Sequence, residues 1–257
     1  MDTVIKVKLW DKDVAAVVWD KDKEYAVVEF YESFGKEGFD IAPLMMPLGD
    51  VLRGDKIFFF PAHRGNTYKG LPGIFADSLP DDYGNSVIDE WFASRNIPIE
   101  ITPLDRLCYV GRRGMGALEY EPANEDATLN ESSLIEITHL AALANEVLNH
   151  RKNFRTKSRE GGKTFTDILK VGTSAGGAKP KAIIAFDEQT KEIRSGQVSA
   201  PAGFTYWLLK FDGVGDNNLN DNPIGIGRIE YAYYKMAIAA NIKMSECQLL
   251  YDANMAH

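Results

Sequence analysis

The sequence predicts an α+β protein with a β-rich N-terminal part, a helical bridge, and a second antiparallel sheet that carries one helix. Three observations lead there. Val4 to Trp10, Val14 to Trp19 and Tyr25 to Tyr31 are β-favouring runs separated by short polar breaks, as in a sheet built from hairpins. Leu134 to Leu148 sets Leu134, Ile137, Ala141, Leu143, Ala144 and Leu148 near one face of a helix. Lys181 to Asp187, a turn at "EQT" and a return at Lys191 to Arg194 read as a second hairpin, and a further strand and an amphipathic helix follow it.

Bulk properties agree with two domains. A chain of 257 residues, 45% apolar with mean hydropathy -0.24, can bury one large or two moderate cores. The formal charge of -8 argues against a surface that coats nucleic acid. Cys108 and Cys247 make neither a CxxC nor a metal-type spacing, so reduced thiols in a cytoplasmic protein are expected. No run approaches the ~18 apolar residues of a membrane span, and "MDTVIKVKLW" alternates where a signal peptide would be continuously apolar.

Between the sheets, Ser86 is expected to cap a helix over Val87 to Ser94. Thr102 and Pro103 supply the cap and the first residue of another, and Ser132 or Ser133 can cap the bridge helix. After that helix, "HRKNFRTKSREGGK" carries six Arg/Lys against one Glu and ends in Gly-Gly, the pattern of an exposed linker.

The stretch "KVGTSAGGAKPKAIIAFD" raises the question of chemistry. Its glycines do not lead into a helix, as they would in a P-loop or a dinucleotide-binding turn. They lead into a hairpin, and a glycine loop between antiparallel strands over a nucleotide is the protein-kinase arrangement. In "FTYWLLKFD", alternation turns Tyr206, Leu208 and Lys210 to one side, so a lysine shares a face with apolar neighbours and needs an anionic partner. In "IGRIEYAYYKMAIAAN", Ile229, Tyr233, Met236, Ala237 and Ala240 form a stripe, with Glu230 beside it near the helix start. Taken singly these are an ordinary turn, a surface lysine and a first-turn acid favoured by the helix dipole. Taken in this order they match a kinase N-lobe.

The residues also resemble a known family, the HipA-like serine/threonine kinases, toxin components of bacterial toxin–antitoxin modules. The resemblance rests on "APLMMPLGD", "GLPGIFADSLPDDYGNSVIDEW" and "PLDRLCYVGRRGMGALEYEP" in the first half, and on "VGTSAGGAKPKA", "YWLLKFD" and "IEYAYYKMA" in the second. It implies a family-type N-terminal domain over 1–122, a helical bridge and basic linker over 123–163, and a kinase N-lobe-like part over 164–257. It further implies ATP and magnesium, a helix-turn-helix antitoxin of the HipB kind, contact with DNA through that antitoxin, and a protein substrate, an aminoacyl-tRNA synthetase for some members. Residue by residue, Ser174 matches an autophosphorylated loop serine. Gly176, Gly177, Ala178, Lys179, Pro180 and Lys181 match the loop over the ATP phosphates, Lys210 the strand lysine and Glu230 the helix acid. Pro180 departs from the commoner polar residue and removes one N–H donor.

The largest departure lies downstream. Kinases also need an Asp to orient the acceptor hydroxyl, and an Asp and an Asn to hold magnesium. After Glu230 the given sequence has a single aspartate, Asp252, with Asn254 two residues on. Asp212 and Asn217 give a D-x4-N match, but they follow directly on the lysine strand and are read as coincidental. The expectation is a chain that lacks the C-lobe, holds neither catalytic acid nor metal ligand, binds ATP weakly and is inactive alone. The alternative is a non-catalytic module that holds an antitoxin or regulatory partner.

Overall fold

A computed structural model of the chain describes residues 4–94, 101–122, 132, 134–149, 180–215, 224–252 and 254–257. In chain order the first elements are β1 (Val4–Leu9), β2 (Lys12–Asp20), β3 (Tyr25–Phe30), α1 (Glu32–Gly35), α2 (Leu48–Arg53), β4 (Ile57–Phe59), α3 (Gly73–Ala76), α4 (Asp82–Ser94), α5 (Pro103–Val110) and β5 (Leu118–Glu121). They continue with α6 (Ile137–Asn149), β6 (Lys181–Phe186), β7 (Ile193–Ser195), β8 (Thr205–Lys210), α7 (Ile226–Ala239), β9 (Tyr251–Asp252) and β10 (Met255–Ala256). The architecture is mixed α/β with antiparallel sheets. The chain divides into two compact units, residues 1–80 with 98–126 and residues 81–97 with 127–257. Among the described residues, no helix is long and apolar enough to cross a membrane.

The first unit is a five-stranded sheet in the order β4-β3-β2-β1-β5. Alternation in β1 buries Ile5, Val7 and Leu9, while Lys6 and Lys8 stand on the other face and pair with Asp13 at 3.1 Å and Glu121 at 3.6 Å. Leu71, Phe75, Leu104 and Leu107 pack with the buried strand residues in one core. Helix α5 starts where its cap residues require. The Asp105 N–H donates to Thr102 Oγ1 at 3.2 Å, the Thr102 N–H donates to Asp105 Oδ2 at 2.8 Å, and Pro103 occupies the first helical position.

The second unit holds a three-stranded sheet in the order β7-β6-β8. Strand β6 is central and every residue in it is buried, which is why it reads as a continuous apolar run after its first lysine. Its ladder with β8 runs from Lys181 opposite Lys210 to Phe186 opposite Thr205. The turn to β7 is built by Asp187, whose Oδ1 accepts the Gln189 and Thr190 N–H groups.

Two helix starts differ from the sequence reading. Helix α4 begins at Asp82 because the Asp81 carboxylate accepts the Gly84 N–H at 2.6 Å, a cap one turn ahead of Ser86. Although it lies within the first 122 residues, α4 belongs to the second unit. The bridge helix α6 begins at Ile137, not Leu134: Leu134 bridges Arg194 and the Ile135 N–H donates to the Ile193 carbonyl at 2.9 Å, so this segment closes the edge of β7. From there Leu140, Ala141, Leu143 and Ala144 are buried. Asn145 of the same helix accepts from the Gly215 N–H and donates to the Gly213 carbonyl, holding the turn after β8.

Helix α7 is the third difference. None of its residues is buried, and the expected stripe points outward, with Ile229 55%, Tyr233 67% and Met236 64% exposed. The inward residues are Gly227, Glu230, Tyr231 and Tyr234, spaced i, i+3, i+4, i+7 along the helix. Glycine, glutamate and tyrosine weigh little in an apolar pattern, so the weaker of two helical stripes is the one that faces the sheet.

Candidate functional site

Strand β8 presents Tyr206, Leu208 and Lys210 on an open face, while Leu209 between them is buried. This face, the inward side of α7 and the extended segment 244–250 enclose a groove of ≈ 740 Å³. The volume is that of a small-molecule cleft. Its walls are mainly aromatic and aliphatic, with Lys210 and Glu230 as the facing charged pair. Lys210 Nζ donates to Glu230 Oε2 at 2.8 Å, and both side chains are about half exposed (54% and 49%). A pair this wet contributes at most about 1 kcal/mol to stability. What the pair does is fix where the ammonium sits.

Gly227 makes the pair possible. A Cβ built there would stand 2.0 Å from the Ala256 carbonyl oxygen, so only glycine lets the start of α7 lie against β10. The sequence reading gave Gly227 no role; its signal was a glycine inside the first turn of an otherwise well-formed helix.

The residues that the resemblance matched to a phosphate-covering loop and to its phosphorylated serine divide in two groups. Ser174, Gly176, Gly177, Ala178 and Lys179 lie outside the described residues. Pro180 is buried, and Lys181 is the first residue of β6, with its side chain 9% exposed and its Nζ 3.6 Å from Asp81 Oδ2. Asp81 is buried to the same degree. Burial raises its pKa, and the Gly84 N–H and Lys181 oppose that rise. Asp81 sits in "GLPGIFADSLPDDYGN", a segment to which sequence reasoning gave no chemistry.

The downstream acids are engaged elsewhere. Buried Asp212 accepts the Gly225 N–H at 2.7 Å and the Ala256 N–H at 3.4 Å. Its own N–H donates to His257 Nδ1 at 2.9 Å. Its D-x4-N partner Asn217 lies outside the described residues. Asp252 Oδ2 accepts the Thr138 hydroxyl at 2.5 Å, and the Asn254 carbonyl accepts from Arg228. Among the described residues no three His, Cys, Asp or Glu side chains stand together as a metal site.

Fold and groove define a class first, a two-unit mixed α/β protein whose second unit sets a strand lysine against a helix acid beside a small-molecule cleft. Residues 5–121 match the HipA N-terminal domain and residues 173–257 the HipA-like C-terminal domain. The chain belongs to the HipA-like proteins, and at the level of that family it is a toxin-type component of a toxin–antitoxin module. No curated protein matches it.

Proposed function

We propose that the second unit is the nucleotide-holding lobe of an ATP-dependent serine/threonine protein kinase, with Lys210 on the phosphates and Glu230 keeping that lysine in place. The observation that carries this reading is the 2.8 Å Lys210–Glu230 pair at the wall of the ≈ 740 Å³ groove. An ammonium whose partner leaves it half solvated keeps donor capacity for a second anion, and the aromatic and aliphatic walls suit a flat base. The glycine segment with Gly176, Gly177, Ala178 and Lys179 then covers the phosphates. Ser174 becomes a place where phosphorylation adds close to two negative charges that compete with nucleotide for the same cations. Family membership supports the remaining partners: a helix-turn-helix antitoxin, DNA reached through it, and a protein substrate of the aminoacyl-tRNA synthetase kind.

A second reading makes this chain a binding module that holds its antitoxin without phosphoryl transfer. It is favoured by the state of Asp212 and Asp252, whose carboxylates are taken up by backbone N–H groups and a threonine hydroxyl. Titration with a fluorescent ATP analogue tests the groove. Tenfold or greater weakening in Lys210→Met, with unchanged thermal unfolding, supports nucleotide holding; equal affinity in the two proteins refutes it. Incubation with γ-labelled ATP and magnesium separates the readings, because label on Ser174 requires transfer and none is expected of the module.

A further inference from the structure

We infer that Asp81 is a positioning residue for this groove: it holds Lys181, and with it the start of strand β6, against the start of helix α4. Lys181 on this view is an anchor rather than a phosphate ligand. The division of labour between Lys181 and Lys210 rests on the nucleotide reading above; the anchor itself does not.

Lys181 and Asp81 side chains are 9% and 8% exposed, and their charged atoms are 3.6 Å apart. A buried ammonium or carboxylate is tolerated when its counter-charge is held in place, and removing either partner strands the other. Asp81 is held firmly. Its Oδ1 accepts the Gly84 N–H at 2.6 Å and its carbonyl accepts the Asn85 N–H at 2.8 Å, so the carboxylate is tied to the first turn of α4. Lys181 is held by its neighbours on the chain: Pro180 before it has a fixed φ, and strand β6 after it is buried throughout. Lys181 is also the direct ladder partner of Lys210. A shift of the β6 start therefore passes straight to the backbone that carries the groove lysine. Two lysines side by side on one ladder are each given a carboxylate, Asp81 for the buried one and Glu230 for the open one.

A double-mutant cycle tests this, using Asp81→Asn, Lys181→Met and the two together in the full chain. Asparagine still accepts the Gly84 N–H but removes the buried negative charge 3.6 Å from the Lys181 ammonium, so the single variant should melt about 10 °C lower. The double variant, with an uncharged side chain of similar length at 181, should recover to within about 3 °C of the parent. Well below its melting point, Asp81→Asn should bind the fluorescent ATP analogue at least tenfold more weakly than the parent. The double variant should bind within about threefold of it. Additive melting shifts, or parental melting and affinity in Asp81→Asn, overturn the anchor. A double variant that melts normally yet loses the analogue tenfold overturns it too, by making Lys181 a phosphate ligand. A parent that binds no analogue refutes the nucleotide reading, and the melting cycle alone then decides the anchor.

Discussion

Gly227→Ala pits a local gain against a tertiary clash. Within a helix, alanine is favoured over glycine by up to about 1 kcal/mol. Here the new methyl would meet the Ala256 carbonyl oxygen at 2.0 Å, where ordinary contact begins at 3.4 Å, so helix and strand must part by about 1.4 Å (3.4 minus 2.0). The obstacle is backbone, which cannot turn aside as a side-chain tip can. Overpacking costs about 1–3 kcal/mol, and with rigid backbone as the obstacle the upper part of that range, about 2–3 kcal/mol, applies, so after the propensity gain a net loss of about 1–2 kcal/mol is expected. In a domain of this size that is a fall of about 2–8 °C in thermal midpoint. Glu230 lies one turn along the same inward face, so the same displacement stretches the 2.8 Å contact with Lys210 to about 4.2 Å, past hydrogen-bonding range. Stability and nucleotide affinity should therefore fall together. Differential scanning calorimetry and analogue titration measure the two effects. A Gly227→Ala protein with parental or higher midpoint would show that the helix start is free of β10, and the reasoning would fail.

The two cysteines should react unequally. Burial, with Asp105 adding to it, pushes the Cys108 thiol up to about 12, whereas Cys247 is partly exposed on the groove wall, so a thiol reagent at pH 8 should modify Cys247 alone in the folded protein and both after denaturation, read by peptide mass spectrometry. Acid should weaken the second unit through His257. Burial lowers its pKa against the opposing pull of Asp252 and Asp212, and its Nδ1 accepts from the Asp212 N–H, a bond that the imidazolium cannot make. Below its ordinary pKa of about 6.5 the unfolded chain takes up a proton that the folded chain resists. The stabilisation is thus complete above pH 6.5 and is lost as pH falls toward the folded pKa, by at most about 1.4 kcal/mol per pH unit. Urea unfolding at pH 7.5 and 5.5 should show this slope in the parent and a shallower one in His257→Gln.

Much of the first unit was legible because its signals are local. Alternation from Val4 and the Thr102–Pro103 helix start each act within one element, and the structure uses them as written, adding Asp105 to close the capping box. In the second unit the Lys210–Glu230 pairing was anticipated because glycine loop, strand lysine and helix acid follow one another in the order of a kinase N-lobe, where lysine and acid pair. The misses share a different origin. Leu134 could have opened a helix, and what decided otherwise was the open edge of β7, formed by residues some sixty positions later. Ser86 lost the cap to Asp81, whose carboxylate accepts the Gly84 N–H and lies 3.6 Å from Lys181, a hundred residues away.

The sequence by itself therefore determined the mixed α/β class, the succession β1–β2–β3 and the later β6–β7 hairpin followed by β8 and α7, the family, and, through its kinase-like order, the lysine–glutamate pair. Only the tertiary structure decided which stripe of α7 faces the sheet, that Gly227 must lack a side chain, and that Lys181 comes to lie 3.6 Å from Asp81. The reason is physical: periodicity and capping are set by neighbours within a few residues, whereas burial of a charge or close approach of two backbones depends on groups that meet only once the chain has folded.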